Sequence, residues 1–259
     1  MRKRLTFTVL FLLCMAKVTH TPPRHHTFTL VQNTKYGSCS TSSATCAVPI
    51  ASTGAGHLLV LKASTYGNNN TVLSTATVPT GGCSTAWVVP TASQKLGGVS
   101  TGAISDAYCL SSVAGATTVN ITWNGSTPGG STVQPWELSF TGSSVILDTG
   151  SSGGIGTVSN SATTTPPGVA LTLSGTNDEI IQQINFAGGN ATSITLYSNF
   201  VNGDFWASAD LENTTNGAAP TWTESGAAVA SIGNAIAFTE VSSGGSTFKT
   251  QVGGFLVGP

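Results

Sequence analysis

Charge is what this chain has least of. Aspartate, glutamate, lysine and arginine together make up 7% of the 259 residues, against about a quarter in an ordinary globular domain. Nine residues are basic, three of them Arg2, Lys3 and Arg4, and after Arg24 no basic stripe occurs. That excludes an electrostatic nucleic-acid binder, which needs lysine and arginine to displace counterions from phosphate. Segments rich in alanine, leucine, glutamate and lysine are missing as well, and apolar residues nowhere keep a sustained helical spacing. The apolar run Phe7–Met15 is too short to span a bilayer, so no membrane span is expected. No C-x-x-C pair and no histidine beside a cysteine is present, which leaves structural zinc without a ligand set. No cofactor site is expected either.

Serine, threonine, glycine and asparagine take the place of charge. At the N-terminus, the basic cluster and the apolar run before Ala16 read as a signal peptide over residues 1–16. Cys14 would suit a lipoprotein site, but Leu13 before it is bulky where such sites want a small residue. Cleavage leaves six basic against ten acidic residues. Residues 17–26 then form a leader, with Thr21–His26 disordered. The mature chain keeps an even set of cysteines, Cys39, Cys46, Cys83 and Cys109, as expected in an oxidising compartment, outside the cell or at its surface. Three pairings are formally open. The spacing around Ser40–Thr45 suits a local Cys39–Cys46 staple, which leaves Cys83–Cys109 to tie more distant segments.

Period-two alternation dominates the rest. Val119, Ile121 and Trp123 share one face; so do Trp136, Leu138 and Phe140, then Val169, Leu171 and Leu173. Ile180, Ile184 and Phe186 alternate around Gln182, and Ile194/Leu196 and Ile236/Phe238 follow. The run His57–Ala63 is almost continuously apolar, as in a central strand covered on both faces. Turn clusters such as Tyr66–Asn70, Gly81-Gly82, Asn124-Gly125, Pro128–Gly130 and Gly188–Asn190 separate these runs. The pattern predicts an all-β, two-sheet antiparallel sandwich of about a dozen strands over residues 27–241. Residues 150–167 are poor in apolar side chains and read as a domain linker or, better, a long crossover between the two halves. Residues 242–259 offer one more strand pair, Phe248–Val252 and Phe255–Val257.

The segments GHLLVLKAS (Gly56–Ser64), DAYCLSSVAGATTVNITW (Asp106–Trp123), WELSFTG (Trp136–Gly142), TNDEIIQQINFAGG (Thr176–Gly189) and AIAFTE (Ala235–Glu240) follow a recurring order. In that order the chain resembles a group of uncharacterised β-sandwich domains of bacterial secreted and surface proteins. The resemblance covers roughly residues 27–241. It implies an extracellular sandwich, loosely similar to lectin-like jelly rolls, and brings no catalytic residues. The cysteines and the extra C-terminal strands depart from the group's pattern.

Several motifs invite chemistry. Val145–Gly153 (VILDTGSSG) resembles the active-site signature of pepsin-like aspartic proteases. That chemistry needs two carboxylates sharing a proton, and Asp148-Thr149-Gly150 is the only copy, with no Asp-Ser-Gly to stand for the second. Asp148 is therefore expected to end a strand and start a loop. Asp210 and Glu212, two apart, would share a strand face and suit a glycosidase pair, but among ten scattered acids such a pair arises by chance. Asn177-Asp178-Glu179 and Asn202-Gly203-Asp204 could hold calcium, yet neither spells a known loop, and no metal site is assigned. His25-His26 lie in the leader and His57 precedes a core strand. Sequons at Asn69, Asn120, Asn124, Asn190 and Asn213 are expected by chance in so polar a chain.

Trp87, Trp123 and Trp136 stand among apolar neighbours and belong to the core. Trp206 falls out of phase with Phe205, Ala207, Ala209 and Leu211, and Trp222 lies in a Pro-Thr-Trp-Thr setting. Both could face solvent, where an indole stacks on a sugar ring. The sequence thus points to a non-catalytic extracellular or cell-surface module that binds neutral carbohydrate or a surface polymer. Its site would be built on Trp206, Trp222 and Asp210, with adhesion as the outcome. Two alternatives stay open: a fibre or coat protein self-associating through strand edges that lack guarding charges, and a secreted hydrolase.

Overall fold

The computed structural model of the chain describes residues 27–33, 39, 43–66, 71–97, 101–125, 130–175, 177–203 and 205–241. The segments read as a signal peptide, a leader and a C-terminal strand pair lie outside the described residues. Within them the chain is a two-sheet antiparallel β-sandwich without an α-helix; a three-residue 3-10 turn, Thr91–Ser93, is its nearest approach to one. The first strands are β1 (Phe28–Gln32), β2 (Thr45–Pro49), β3 (Leu58–Thr65), β4 (Lys95–Leu96), β5 (Ala103–Cys109), β6 (Thr118–Thr122) and β7 (Ser131–Phe140). Then come β8 (Ser144–Leu147), β9 (Ile155–Thr163), β10 (Asp178–Phe186), β11 (Ala191–Ile194), β12 (Ser198–Gly203), β13 (Trp206–Thr214), β14 (Trp222–Glu224) and β15 (Val229–Val241).

The two halves of the chain build one sheet each. Strands from the first half form the order β1-β7-β3-β5-β4; those from the second form β12-β13-β10-β15, with β8 and β9 end to end along the far side of β15. β9 occupies the segment read as a linker or crossover loop. The scarcity of apolar side chains concealed a nine-residue strand there, because it is an edge strand whose pairing with β15 rests on backbone bonds.

Both sheets are buried on both faces. Between them lie Leu58 and Val60 of β3, Trp136 and Leu138 of β7, Tyr108 of β5, Ile181 of β10, and Ile236 and Phe238 of β15. On the outside of the first sheet, Leu59, Leu61, Ala63, Ala107 and Val133 are covered by the β2–β6 ribbon and by Leu73, Trp87 and Val89. On the outside of the second, Ile184, Phe186, Ala207 and Ala209 lie under Ala191 and Trp222 of the β11–β14 ribbon, and Ile180, Ala235 and Ala237 under Val169 and Leu171. This double cover explains the continuous apolar run in β3.

The layer between the sheets is apolar at one end and polar at the other. Lys62 and Asp106 face each other across the β3–β5 ladder with Nζ 2.8 Å from Oδ1, both without solvent contact. Asn234 of β15 donates to Asp106 at 3.0 Å, Asn185 of β10 donates to the Thr65 and Thr101 carbonyls at 3.1 and 2.7 Å, and Ser208 bonds Gln134. These bonds cross from one sheet to the other. One side of the sandwich is closed by side chains: the Phe28 and Leu30 N–H groups of β1 donate to Asn213 Oδ1 and Glu212 Oε1 of β13.

Both disulfides form with the expected partners, Cys39–Cys46 and Cys83–Cys109. Cys83–Cys109 pins the loop layer to the end of β5 and closes a separation of 26 residues. Replacing Cys83 and Cys109 together by alanine should cost about 3 kcal/mol in the chain-entropy model. Urea unfolding of oxidised wild type against the double variant measures it, and an unchanged midpoint would contradict the assignment.

Candidate functional site

The alternation assigned Trp206 and Asp210 to one face of β13 and Ala207, Ala209 and Leu211 to the other, and the strand has that phase. The expected exposure is corrected. The face carrying Trp206, Ser208 and Asp210 looks into the space between the sheets, and Trp206 and Asp210 are 2% and 0% exposed. The Trp206 indole lies across Gly203 of β12, where a Cβ would come within 2.4 Å of Nε1. Trp222 is fully buried on the opposite side, against the outer face of the second sheet near Phe200. A sugar ring can reach neither indole, and the structure does not bring them together. Trp87, Trp123 and Trp136 are buried as expected.

Asp210 instead belongs to a carboxyl cluster. Glu179 of β10 joins it, buried close to Asp210 and Glu212, and neither of its carboxyl oxygens has a hydrogen-bond partner. Burial first, then the charges of Asp210 and Glu212, drive Glu179 well above the ordinary carboxylate range. Burial likewise lifts Asp210 to about 6, against the pull of Asn199. Asn199 Nδ2 donates to both Asp210 oxygens at 3.0 and 2.9 Å and to Glu212 Oε1 at 3.4 Å. The predicted pairing of Asp210 with Glu212 is therefore present, with Glu179 as an unpredicted third member, but Glu179 and Asp210 are 0% exposed. Among the described residues no three His, Cys, Asp or Glu side chains are grouped to hold a metal ion.

Asp148, of the DTG motif, leaves β8 and enters a loop. Its oxygens accept from the N–H groups of Gly150, Ser174 and Gly175 and from the Ser174 hydroxyl at 2.7–3.3 Å. Burial raises its carboxyl, but these donors outweigh it and the net shift is downward. Gly150 must be glycine, since a Cβ there would lie 1.7 Å from the Thr172 carbonyl oxygen. The neighbouring carboxyl is Asp178, pushed to about 6 by burial and, more weakly, by Asp148. Both are 0% exposed, and the donors saturate Asp148. It anchors a loop.

Solvent-facing polar groups gather elsewhere. A groove of about 370 Å3 lies at one end of the sandwich, between the entry to β3, the exit of β5, the end of β7 and the start of β8. Leu110 and Phe140 give it apolar surface, and His57, Ser111, Ser143 and Ser144 give it polar groups. His57 is held in place: its Nδ1 lies 2.6 Å from Glu137 Oε1, and its ring packs over Gly54. The buried Glu137 also accepts from Gly54 N–H at 2.7 Å and from Gln32 Nε2. The sequence offered no signal for this arrangement, because Glu137 lies 80 residues from His57 and only the β3–β7 register brings them together.

No protein-family model, no curated protein and no solved structure matches the chain. Its chemistry rests on its own residues.

The carboxyl cluster has a measurable consequence. Glu179 and Asp210 bind protons more tightly folded than unfolded, so they stabilise the fold fully below the unfolded carboxylate range near 4. That stability is lost as pH rises through about 6, the folded value of Asp210, and beyond. The unfolding free energy should therefore fall between pH 4 and pH 8. Glu179→Gln should flatten the profile, because it removes the group whose proton uptake burial favours most in the folded state. Denaturant titrations across that range check it; the same slope in wild type and variant would refute it.

Proposed function

We propose that the protein is a non-catalytic binding module acting outside the cytoplasm, and that the end groove takes a neutral, hydroxyl-rich ligand, a carbohydrate or surface polymer. The groove's composition carries this reading. It is lined by hydroxyl groups, an imidazole and backbone around Leu110 and Phe140, with no carboxylate or cation among the lining residues. Such a wall recognises through hydroxyl and amide hydrogen bonds and through contact of a sugar's C–H face with an aromatic ring, not through ion pairing. The buried tie to Glu137 fixes the tautomer and orientation of the His57 ring, leaving the edge that faces the groove for a ligand. Two disulfides suit an oxidising compartment, and the likeness to bacterial surface sandwich domains agrees with it. The test is a glycan-binding screen followed by titration of the best ligand. Ser144→Trp, at an exposed position on the groove wall, should weaken binding at least about tenfold, roughly 1.4 kcal/mol. Equal affinity in wild type and variant would remove the groove from the reading.

A second reading, assembly through strand edges, is favoured by β9. Among the described residues no strand pairs with its outer edge, and the sequence Ile155–Thr163 holds neither charge nor proline to discourage pairing. Size-exclusion chromatography over a wide concentration range should then show growth of larger species in wild type and a monomer in Ser161→Lys. A wild type that stays monomeric throughout would end this reading.

A further inference from the structure

The polar end of the inter-sheet layer contains three groups that are more than a stabilising network. Lys62 of β3, Asp106 of β5 and Asn234 of β15 are all buried, and they come from both sheets. Asp106 Oδ1 stands between two nitrogens, 2.8 Å from Lys62 Nζ and 3.0 Å from Asn234 Nδ2. The other contacts are to backbone: Nζ reaches the Ile181 carbonyl at 3.3 Å and Nδ2 the Ser93 carbonyl at 2.9 Å. Two oxygens are left without any hydrogen-bond partner, Asp106 Oδ2 and Asn234 Oδ1. An orphaned oxygen in a dry interior is costly, and two on adjacent groups call for an explanation.

We propose that Lys62 Nζ and Asn234 Cγ become joined by an intramolecular amide bond, with Asp106 moving the proton, so that the two sheets are linked covalently. The Nζ lone pair of the neutral amine adds to Asn234 Cγ, and the electrons of the C=O bond move onto Oδ1, whose charge the Asp106 carboxylic proton offsets. Asp106 then takes a proton from the attacking nitrogen and delivers one to Nδ2. The Oδ1 carbonyl re-forms, the Cγ–Nδ2 bond breaks, and ammonia leaves. Asp106 ends protonated as it began, and no oxidant or further reactant is consumed.

The environment favours this protonation pattern. Burial lowers the Lys62 amine toward its neutral, nucleophilic form against the attraction of Asp106, and burial raises Asp106 toward its acid form. Geometry selects Asn234 rather than Asp106 as the acyl partner. The carboxyl oxygen lies between the nucleophile and the leaving nitrogen, where a proton shuttle is needed. Attack on Asp106 itself would require a second acid, and among the described residues no other carboxylate bonds to the group.

Mass spectrometry of the purified full chain, with the mature N-terminus determined and disulfides reduced, reads the bond directly. The expected mass is lower than that of the unmodified chain by one ammonia, and fragmentation of a non-tryptic digest should give a branched peptide joining Lys62 to Asn234. Asp106→Ala should restore the full mass while Lys62 and Asn234 remain. A loss of one water with Lys62 joined to Asp106 would overturn the proposal, as would a full-mass wild type with free Lys62. The wild-type mass decides the point even where the variant does not fold. Ammonia loss persisting in Asp106→Ala would overturn the role given to Asp106.

Discussion

Lys62 and Asp106 can occupy the space between two sheets because each supplies what the other loses on leaving water. A buried ion pair seldom adds much net stability, but removing one partner strands the other and costs several kcal/mol. The pair therefore acts on register. Sliding β3 by one residue would turn Lys62 out against Trp87 and the β2–β6 ribbon and bring Leu61 in against Asp106. Asn234 extends the constraint to the second sheet, since it must meet Asp106 and the Ser93 carbonyl together. The alignment of the two sheets thus depends on a polar cluster rather than on the apolar half of the layer, which tolerates sliding better.

The scarcity of charge shapes the rest of the fold in the same way. With few ionised side chains to keep a sheet face wet, both sheets bury both faces, and the protein becomes a stack with covering ribbons outside each sheet. The two covers are secured differently. That of the first sheet contains both disulfides. That of the second is held by backbone pairing, with Trp222 N–H donating to Pro166 and Glu224 N–H to Thr164. Asparagine and glutamine take over work that charged residues do elsewhere, as when Asn213 meets the N–H and C=O of Phe28 and protects the edge of β1.

The acids follow the same economy of exposure. Glu179 and Asp210 sit inside, where burial favours their protonated forms, while Asp148 is surrounded by donors that hold its carboxyl below the ordinary range. Neither arrangement opens to solvent, so carboxyls whose spacing suggests hydrolytic chemistry serve as internal supports. The groove at the end of the sandwich has the opposite character, with modest polar groups turned outward over Phe140 and only His57 fixed by a buried partner.

The sequence by itself determined the strand class, the phase of β6, β7, β10, β13 and β15, the disulfide partners and the place of Trp87, Trp123 and Trp136 in the core. Those properties are local: side-chain period, turn residues and cysteine spacing act within a few positions. It also separated Trp206 and Asp210 from Ala207 and Ala209 correctly. What it could not say is that both faces of β13 are covered, because one period-two pattern serves a strand with one wet face and a strand with none. The β9 strand escaped notice since an edge paired through its backbone needs no apolar signature. Lys62 in a core run, Glu179 beside Asp210, and Glu137 beneath His57 read as ordinary isolated charges along the chain. Only the tertiary structure decided their roles, because each partner arrives through strand register across a large sequence separation, and the desolvation that gives the contact its chemistry exists only once the sheets have closed.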